Sequence, residues 1–207
     1  RSACSISGSN VSISCRPLIT LMPGSRRQEI ETLLPEMLQA LRLIRERQPD
    51  LQAFLPLAST ISHDLVAEMC ARYQADIQIV AAHTYDLLAI STFVIASSGT
   101  ATLEAALLGT PAIITYKLSP LTWLLGKLLV KIPHVGLPNI VAGQRILPEL
   151  IQGEVQAEKI AAIAEEWLRD AGELPRIREE LRMMRRKLGE PGAVKRVAQV
   201  ILDVAGD

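Results

Sequence analysis

Aromatic residues are scarce: two Trp, three Tyr and two Phe make up 3% of the 207 residues, while hydrophobic residues together reach 49%. The core must therefore be aliphatic, built from Leu, Ile, Val and Ala as in layered α/β proteins. Net charge is lacking too, with 22 Lys and Arg against 22 Asp and Glu, so no basic excess points to nucleic acid as a partner. The three cysteines, Cys4, Cys15 and Cys70, are odd in number and show neither Cys-x-x-Cys spacing nor paired histidines. They read as reduced thiols of a cytosolic protein rather than as disulfides or a zinc site. The longest apolar stretch, Leu118 to Ile132, is broken by Lys127 and Lys131 and is too short and too charged to span a bilayer. No signal-peptide apolar region is legible among the first residues. Neither Gly-x-Gly-x-x-Gly nor Gly-x-x-x-x-Gly-Lys-[Ser/Thr] occurs, which speaks against a dinucleotide fold and a P-loop kinase. Ser97-Ser98-Gly99 is not the Gly-x-Ser-x-Gly of a nucleophile elbow. His63, His83 and His134 stand singly and read as structural or exposed, so no metal site and no cofactor are expected.

What is present is organised around Ser97 to Gly109, Ser-Ser-Gly-Thr-Ala-Thr-Leu-Glu-Ala-Ala-Leu-Leu-Gly, directly after the apolar run Phe93-Val94-Ile95-Ala96. An unalternating apolar run, a small-residue turn and then helical composition read as a buried parallel strand feeding a helix. The free N–H groups at the start of such a helix attract anions. Gly99 admits a ligand close to the backbone, and the Thr100 and Thr102 hydroxyls are expected to face it. Glu104, expected in the first helical turn, would repel a phosphate in contact and is assigned instead to a sugar diol further out. Phosphate together with a diol suggests a nucleotide.

A second unit of the same kind opens at Leu18 to Met22, a short strand followed by Pro23-Gly24-Ser25-Arg26. Ser25 with Gln28 three residues later predicts a helix capped at Ser25. Its apolar stripe runs Ile30, Leu33, Leu34, Met37, Leu38, Leu41, Ile44, with Pro35 expected to kink it or force a restart near Leu33. Strands are then predicted at Leu51 to Leu57, Ile77 to Val80 and Pro111 to Tyr116, with helices from Ser62 to about Tyr73 and from Tyr85 to Ile90. Leu121 to Val130 reads as an apolar helix with two lysines, suited to a membrane surface or to burial against another domain or chain. Pro133 to Gln144 is expected to be irregular and Pro148 to Ile151 to start a small helix. Ala157 to Arg169, Pro175 to Leu188 and Gly192 to Val204 read as closing helices. Strand–helix alternation predicts an α/β fold, a Rossmann-like doubly wound parallel sheet with C-terminal helices, ligand at the carboxyl ends of the strands. Residues 1–17 are a leader without assigned role, 18–170 the Rossmann-like domain, and 171–207 the C-terminal helices. Arg26 suits a diphosphate because its planar fork makes two parallel charge-assisted bonds.

Three motifs, Leu21-Met22-Pro23-Gly24-Ser25-Arg26 with Glu29-Ile30, Ala96 to Glu104, and Val135-Gly136-Leu137-Pro138-Asn139-Ile140 with Pro148-Glu149-Leu150, resemble in order and spacing the C-terminal half of the lipid-A-disaccharide synthases. The resemblance covers about Leu18 to Leu168. It implies the C-terminal domain of an inverting GT-B glycosyltransferase that joins UDP-2,3-diacylglucosamine to 2,3-diacylglucosamine 1-phosphate and releases UDP in lipid A biosynthesis. It further implies that Gly24, Ser25 and Arg26 hold the diphosphate, that Ser98, Gly99, Thr100, Ala101 and Thr102 bind phosphate, that Glu104 binds the ribose and that Asn139 belongs to the site. The implied partners are the UDP-sugar donor and an acyl-sugar phosphate acceptor, at a cytoplasmic location with peripheral contact to the inner membrane; a homodimer is compatible with it. The acceptor-binding N-terminal half, which carries the proposed base, has no counterpart in this sequence, so a companion half or partner chain is expected to supply it, and UDP binding without turnover is expected of this chain alone. Two other readings stay open: another UDP-sugar enzyme of GT-B type such as a 2-epimerase, and a non-catalytic nucleotide-binding or oligomerisation module.

Overall fold

The computed structural model describes residues 16–118, 133–189 and 192–205. Six strands form one parallel sheet: β1 (Leu18–Met22), β2 (Gln52–Pro56), β3 (Gln78–Val80), β4 (Phe93–Ser97), β5 (Ala112–Tyr116) and β6 (Glu149–Ile151). The spatial order is β3-β2-β1-β4-β5-β6. The chain winds outward from β1 to β3, returns to the middle, and winds the other way from β4 to β6, so the direction reverses between β1 and β4. The α/β doubly wound architecture expected from the sequence is what the chain adopts, and the central strand β4 is buried along its whole length, as a sheet covered on both faces requires.

Helix α1 (Arg27–Arg47) runs without a break through Pro35 and buries Ile30, Leu33, Leu34, Met37, Leu38, Ala40, Leu41 and Ile44. The restart that Pro35 would force near Leu33 does not occur, because eight buried side chains hold the helix against the loss of a single ladder bond. The helix begins one residue later than expected, with Arg26 rather than Ser25 in the cap position. Helices α2 (His63–Arg72), α3 (Thr84–Ile90) and α4 (Thr100–Leu107) follow β2, β3 and β4 in turn.

Two local expectations are corrected. Pro133 to Gln144 contains the helix α5 (Leu137–Ala142), with Pro138 in its first turn and Gly143 closing it at φ 71°. Pro148 to Ile151 does not start a helix; it enters β6, which pairs with β5 through Ile114↔Glu149 and leads into a single 3₁₀ turn at Gln152–Glu154. The segment Leu121 to Val130, expected as an apolar helix, lies outside the described residues.

Helix α6 (Ala157–Arg169) packs on α1, and its Trp167 meets Phe93 edge to face at 5.4 Å and 82°. Helix α7 (Glu173–Lys187) buries Leu174, Ile177, Leu181 and Met184 in the same apolar cluster as the sheet. Helix α8 (Ala193–Ala205) ends the described chain with Val197, Val200, Ile201, Leu202 and Val204 exposed. Cys70 is a buried free thiol whose pKa burial pushes up.

Candidate functional site

Because Met22 and Ala96 are partners across the β1–β4 pair, the turns that leave these strands emerge side by side at the carboxyl edge of the sheet. That is the crevice in which doubly wound folds take ligands. An open cleft of about 460 Å³ lies there, bounded by Met22, Gly24, Ser25, Arg26 and Glu29 on one side and by Ser97, Ser98, Gly99, Thr100 and Ala101 on the other, with Pro56, Ala58 and Thr84 closing it. Its size suits a small ligand. Arg26 and Thr100 therefore share one cavity.

On the β1 side, Gly24 takes φ +121°, a backbone conformation closed to L side chains. A Cβ there would also collide with Glu29, lying 2.7 Å from its Cβ. The Glu29 carboxylate accepts the Ser25 N–H (3.0 Å) and the Arg26 N–H (3.3 Å) on Oε2, and the Arg26 Nη1 (2.8 Å) on Oε1. This is the acidic half of a capping box; the other half is missing because arginine has no acceptor. Of the Gly24 and Ser25 backbone expected to receive a pyrophosphate, the Ser25 amide is thus already engaged by a carboxylate of the following helix. The Arg26 side chain remains 81% exposed and keeps most of its donors. Thr60, from the loop after β2, donates its hydroxyl to the Ser25 carbonyl at 2.7 Å and braces the turn from outside. Neither Glu29 nor Thr60 was expected at the site; the Ser25–Gln28 pattern drew the cap one residue too early.

The β4 side differs. The N–H groups of Gly99, Thr100 and Ala101 precede the first intrahelical acceptor and have no carbonyl of α4 to bond. Gly99 is extended at φ 170°, and a Cβ placed on it would meet nothing within 4 Å, so its role is to leave open space above the helix end. Ser98 is held in place, its N–H donating to the Thr115 carbonyl and its hydroxyl to the Val135 carbonyl, both at 2.9 Å. Two expectations fail here. Thr102 does not face the cleft; it is fully buried, with its hydroxyl donating to the Gly99 carbonyl at 2.7 Å. Glu104 is the fifth residue of α4, past the first turn, so the helix dipole does little for it. It is not among the residues that bound the cleft and accepts a 3.3 Å bond from the Tyr85 hydroxyl.

Asn139, expected among the ligand contacts, lies outside the cleft and is completely buried. Its Oδ1 accepts the Ile146 and Leu147 N–H groups, both at 2.9 Å, and its Nδ2 donates to the Leu147 carbonyl and to Glu149 Oε1, both at 2.8 Å. All four hydrogen-bonding positions of the amide are used, leaving none for a ligand. Glu149, only 6% exposed, also accepts the Val135 and Gly136 N–H groups at 3.1 and 2.9 Å. It closes the N-terminal end of α5 from the neighbouring strand. A Cβ on Gly136 would run into Ile114 and come within 3.1 Å of Glu149 Oε1, so the carboxylate reaches the helix end only because residue 136 is glycine. This node fixes the loop whose Val135 carbonyl receives Ser98. Asn139 thus supports the cleft from behind.

His83 precedes α3 at φ 65° with Nδ1 3.1 Å from Asp86 Oδ2, and His63 is an exposed residue near Asp64. Among the described residues no group of three His, Cys, Asp or Glu could hold a metal ion, and no helix is long and apolar enough to cross a membrane. A second hollow, of about 510 Å³, lies at the opposite edge of the sheet. There Arg178 and Arg185 donate to the carbonyls of Thr92 and Leu107, which satisfies backbone at the strand entry and the α4 C-terminus and accounts for the arginines.

A six-stranded parallel sheet of this order, with a cleft at its switch point, defines a Rossmann-like domain of the kind found in GT-B glycosyltransferases and the related epimerases. The structure of S. aureus MnaA with UDP superposes with a TM-score of 0.63 at 14% identity, over 92% of this chain and 47% of that one. The calicheamicin glycosyltransferase CalG4 superposes at 0.58 and 15% identity, over 92% and 42%. Such distant likenesses define the fold alone. Sequence goes further: the family model described as lipid-A-disaccharide synthetase matches residues 11–204, and the lipid-A-disaccharide synthase of Geobacter sulfurreducens is 42% identical over 191 residues, 92% of this chain and 50% of that protein. The chain belongs to the lipid-A-disaccharide synthase family. It spans about half the length of the curated relatives it matches.

Proposed function

We propose that this chain carries the donor site of a lipid-A-disaccharide synthase, binding UDP-2,3-diacylglucosamine for transfer to 2,3-diacylglucosamine 1-phosphate with inversion at the sugar carbon. The observation that carries the reading is the meeting of one free helix end, Gly99 to Ala101, and one exposed guanidinium, Arg26, in a single cleft at the switch point. In this reading the pyrophosphate lies over the N–H groups of Gly99, Thr100 and Ala101, and Arg26 reaches it from the β1 side. In the same reading Glu104, bonded to Tyr85, meets the ribose hydroxyls.

The chemistry asked of these groups is electrostatic. As the bond from the sugar carbon to the UDP oxygen breaks, negative charge grows on the departing diphosphate, and fixed N–H dipoles with a guanidinium stabilise it without reorganising. Among the described residues the only carboxylate lining the cleft, Glu29, is committed to three hydrogen bonds. The base that takes the acceptor's hydroxyl proton is therefore assigned to a companion half of the enzyme, together with the acceptor site. The 2-epimerase alternative has only distant fold similarity behind it, whereas the sequence relatives are synthases.

Calorimetric titration of UDP into the chain and into Arg26→Ala tests this. A charge-assisted contact of this kind is worth about 1.5–3 kcal/mol, so the variant is expected to bind roughly 10- to 150-fold more weakly. Equal affinity of the two proteins would remove Arg26 from the site, and no UDP binding by the unaltered chain would refute the donor-site reading.

A further inference from the structure

Glu29 makes an arrangement that UDP binding alone does not call for. Its two carboxylate oxygens divide their work: Oε2 takes the Ser25 and Arg26 backbone N–H groups, and Oε1 takes the Arg26 side chain. One acid thus grips both the backbone and the guanidinium of the same arginine. The acid is itself held. Its side chain is 25% exposed while that of Arg26 is 81% exposed, and it packs over Gly24 where any Cβ would collide with it. The turn is shaped around the carboxylate, with Thr60 fixing its other side through the Ser25 carbonyl.

We infer that Glu29 is a positioning residue: it closes the α1 end of the cleft to phosphate and holds Arg26 in one orientation, so that the diphosphate is received by the α4 end together with the outward donors of Arg26. The inference rests on the donor-site reading above. An exposed arginine without a partner samples many rotamers and loses that freedom on binding; one already bonded through Nη1 has lost much of it beforehand. The opposing possibility is that Glu29 is a surrogate anion that UDP must displace. Displacement would require the carboxylate to leave the pocket formed by Gly24 and the first turn of α1 to give up its cap, and it would make removal of the charge favourable to binding. The two ideas predict opposite signs.

Glu29→Gln separates positioning from capping. The amide oxygen can still accept the two backbone N–H groups where Oε2 now sits, while the amide nitrogen replaces Oε1 and meets Arg26 Nη1 donor to donor. The experiment titrates UDP into the unaltered chain, Glu29→Gln, Arg26→Ala and the double variant, with a thermal melt of each. The expected result is a melting temperature for Glu29→Gln near that of the unaltered chain, UDP binding weakened roughly three- to tenfold, and no additional weakening when Glu29→Gln is added to Arg26→Ala. A merely structural role would weaken binding in both backgrounds alike. Additive losses, unchanged affinity or tighter binding by Glu29→Gln each overturn the inference while leaving the donor site standing if Arg26→Ala still binds poorly. Should Glu29→Gln melt far below the unaltered chain, the comparison of Arg26→Ala with Arg26→Lys decides: a lysine that restores full affinity shows that a held fork is not needed. Failure of the unaltered chain to bind UDP overturns both readings.

Discussion

Replacing Asn139 by alanine discriminates between a ligand contact and a buried strut. The substitution deletes four hydrogen bonds at a site with no exposure. The Ile146 and Leu147 N–H groups and the Leu147 carbonyl lose their partners, and Glu149 keeps two of its three donors. A net value of about 1 kcal/mol per bond gives about 4 kcal/mol, and breaking a buried charged network falls in the same range of about 3–5 kcal/mol. For a chain of this length each kcal/mol moves the midpoint by about 2–4 °C, so the melting temperature is expected to fall by roughly 6–20 °C. Differential scanning fluorimetry with and without UDP reads both quantities. UDP affinity, measured where the variant is still folded, should fall only as far as loosening of Ser98 through Val135 permits, and less than in Arg26→Ala. A variant that melts within about 2 °C of the unaltered chain yet loses UDP binding would refute this reasoning and place the Asn139 amide on the ligand.

Two further outcomes follow from the same geometry. Gly24→Ala puts a side chain at φ +121° and into Glu29; a loss of about 1–3 kcal/mol is expected in urea unfolding, together with weakened UDP binding, and a stability equal to that of the unaltered chain would show that the turn relaxes freely. Glu173 is held below the usual carboxylate range by its hydrogen bond from Arg176, with the charge of Arg176 adding to it. A depressed folded value means that the pair stabilises the chain above the unfolded value of about 4.3 and loses that contribution as pH falls through the folded value. The stability difference between the unaltered chain and Arg176→Ala, at most about 1 kcal/mol for so exposed a pair, should therefore be larger at pH 7 than at pH 3, and a difference that grows on acidification would contradict it.

The fold was legible because each unit announces itself locally. Phe93 to Ala96 and Leu18 to Met22 are short apolar runs closed by glycine turns, and α1 shows its stripe from Ile30 to Ile44 without interruption. Where the reading failed, a local rule was overruled by something distant in sequence. Pro35 forbids one ladder bond, but the packing of α1 against the sheet and α6 outweighs that loss. Pro148 to Ile151 is too short to show alternation, and it becomes a strand because the edge of β5 is there to receive it. The α1 cap is Arg26 rather than Ser25, with Glu29 accepting the Ser25 and Arg26 N–H groups, and an acid three residues into a helix is a local signal that competes with the Ser25–Gln28 pair.

The site shows the same division more sharply, and it explains which helix end is left for a ligand. A helix start carries N–H groups that need an acceptor, and at three helices of this chain a carboxylate supplies one. Glu29 serves α1 from within. Glu149 serves α5 from β6, ten residues beyond Asn139. Glu36, in the middle of α1 and paired with Lys117, accepts the Ala157 N–H at the start of α6, 121 residues away. The last two contacts have no signature in sequence, since nothing in the local pattern connects an acid with a helix so remote. Helix α4 is not closed in this way: its first turn holds no acid, and among the described residues no carboxylate accepts from the N–H groups of Gly99, Thr100 or Ala101. Its neighbour across the cleft is Arg26, whose charge Glu29 meets through one guanidinium nitrogen only. Three helix starts, those of α1, α5 and α6, are closed by the protein's own carboxylates, whereas the α4 start faces an arginine across about 460 Å³ of open space, and it is on this contrast that the proposed diphosphate site rests.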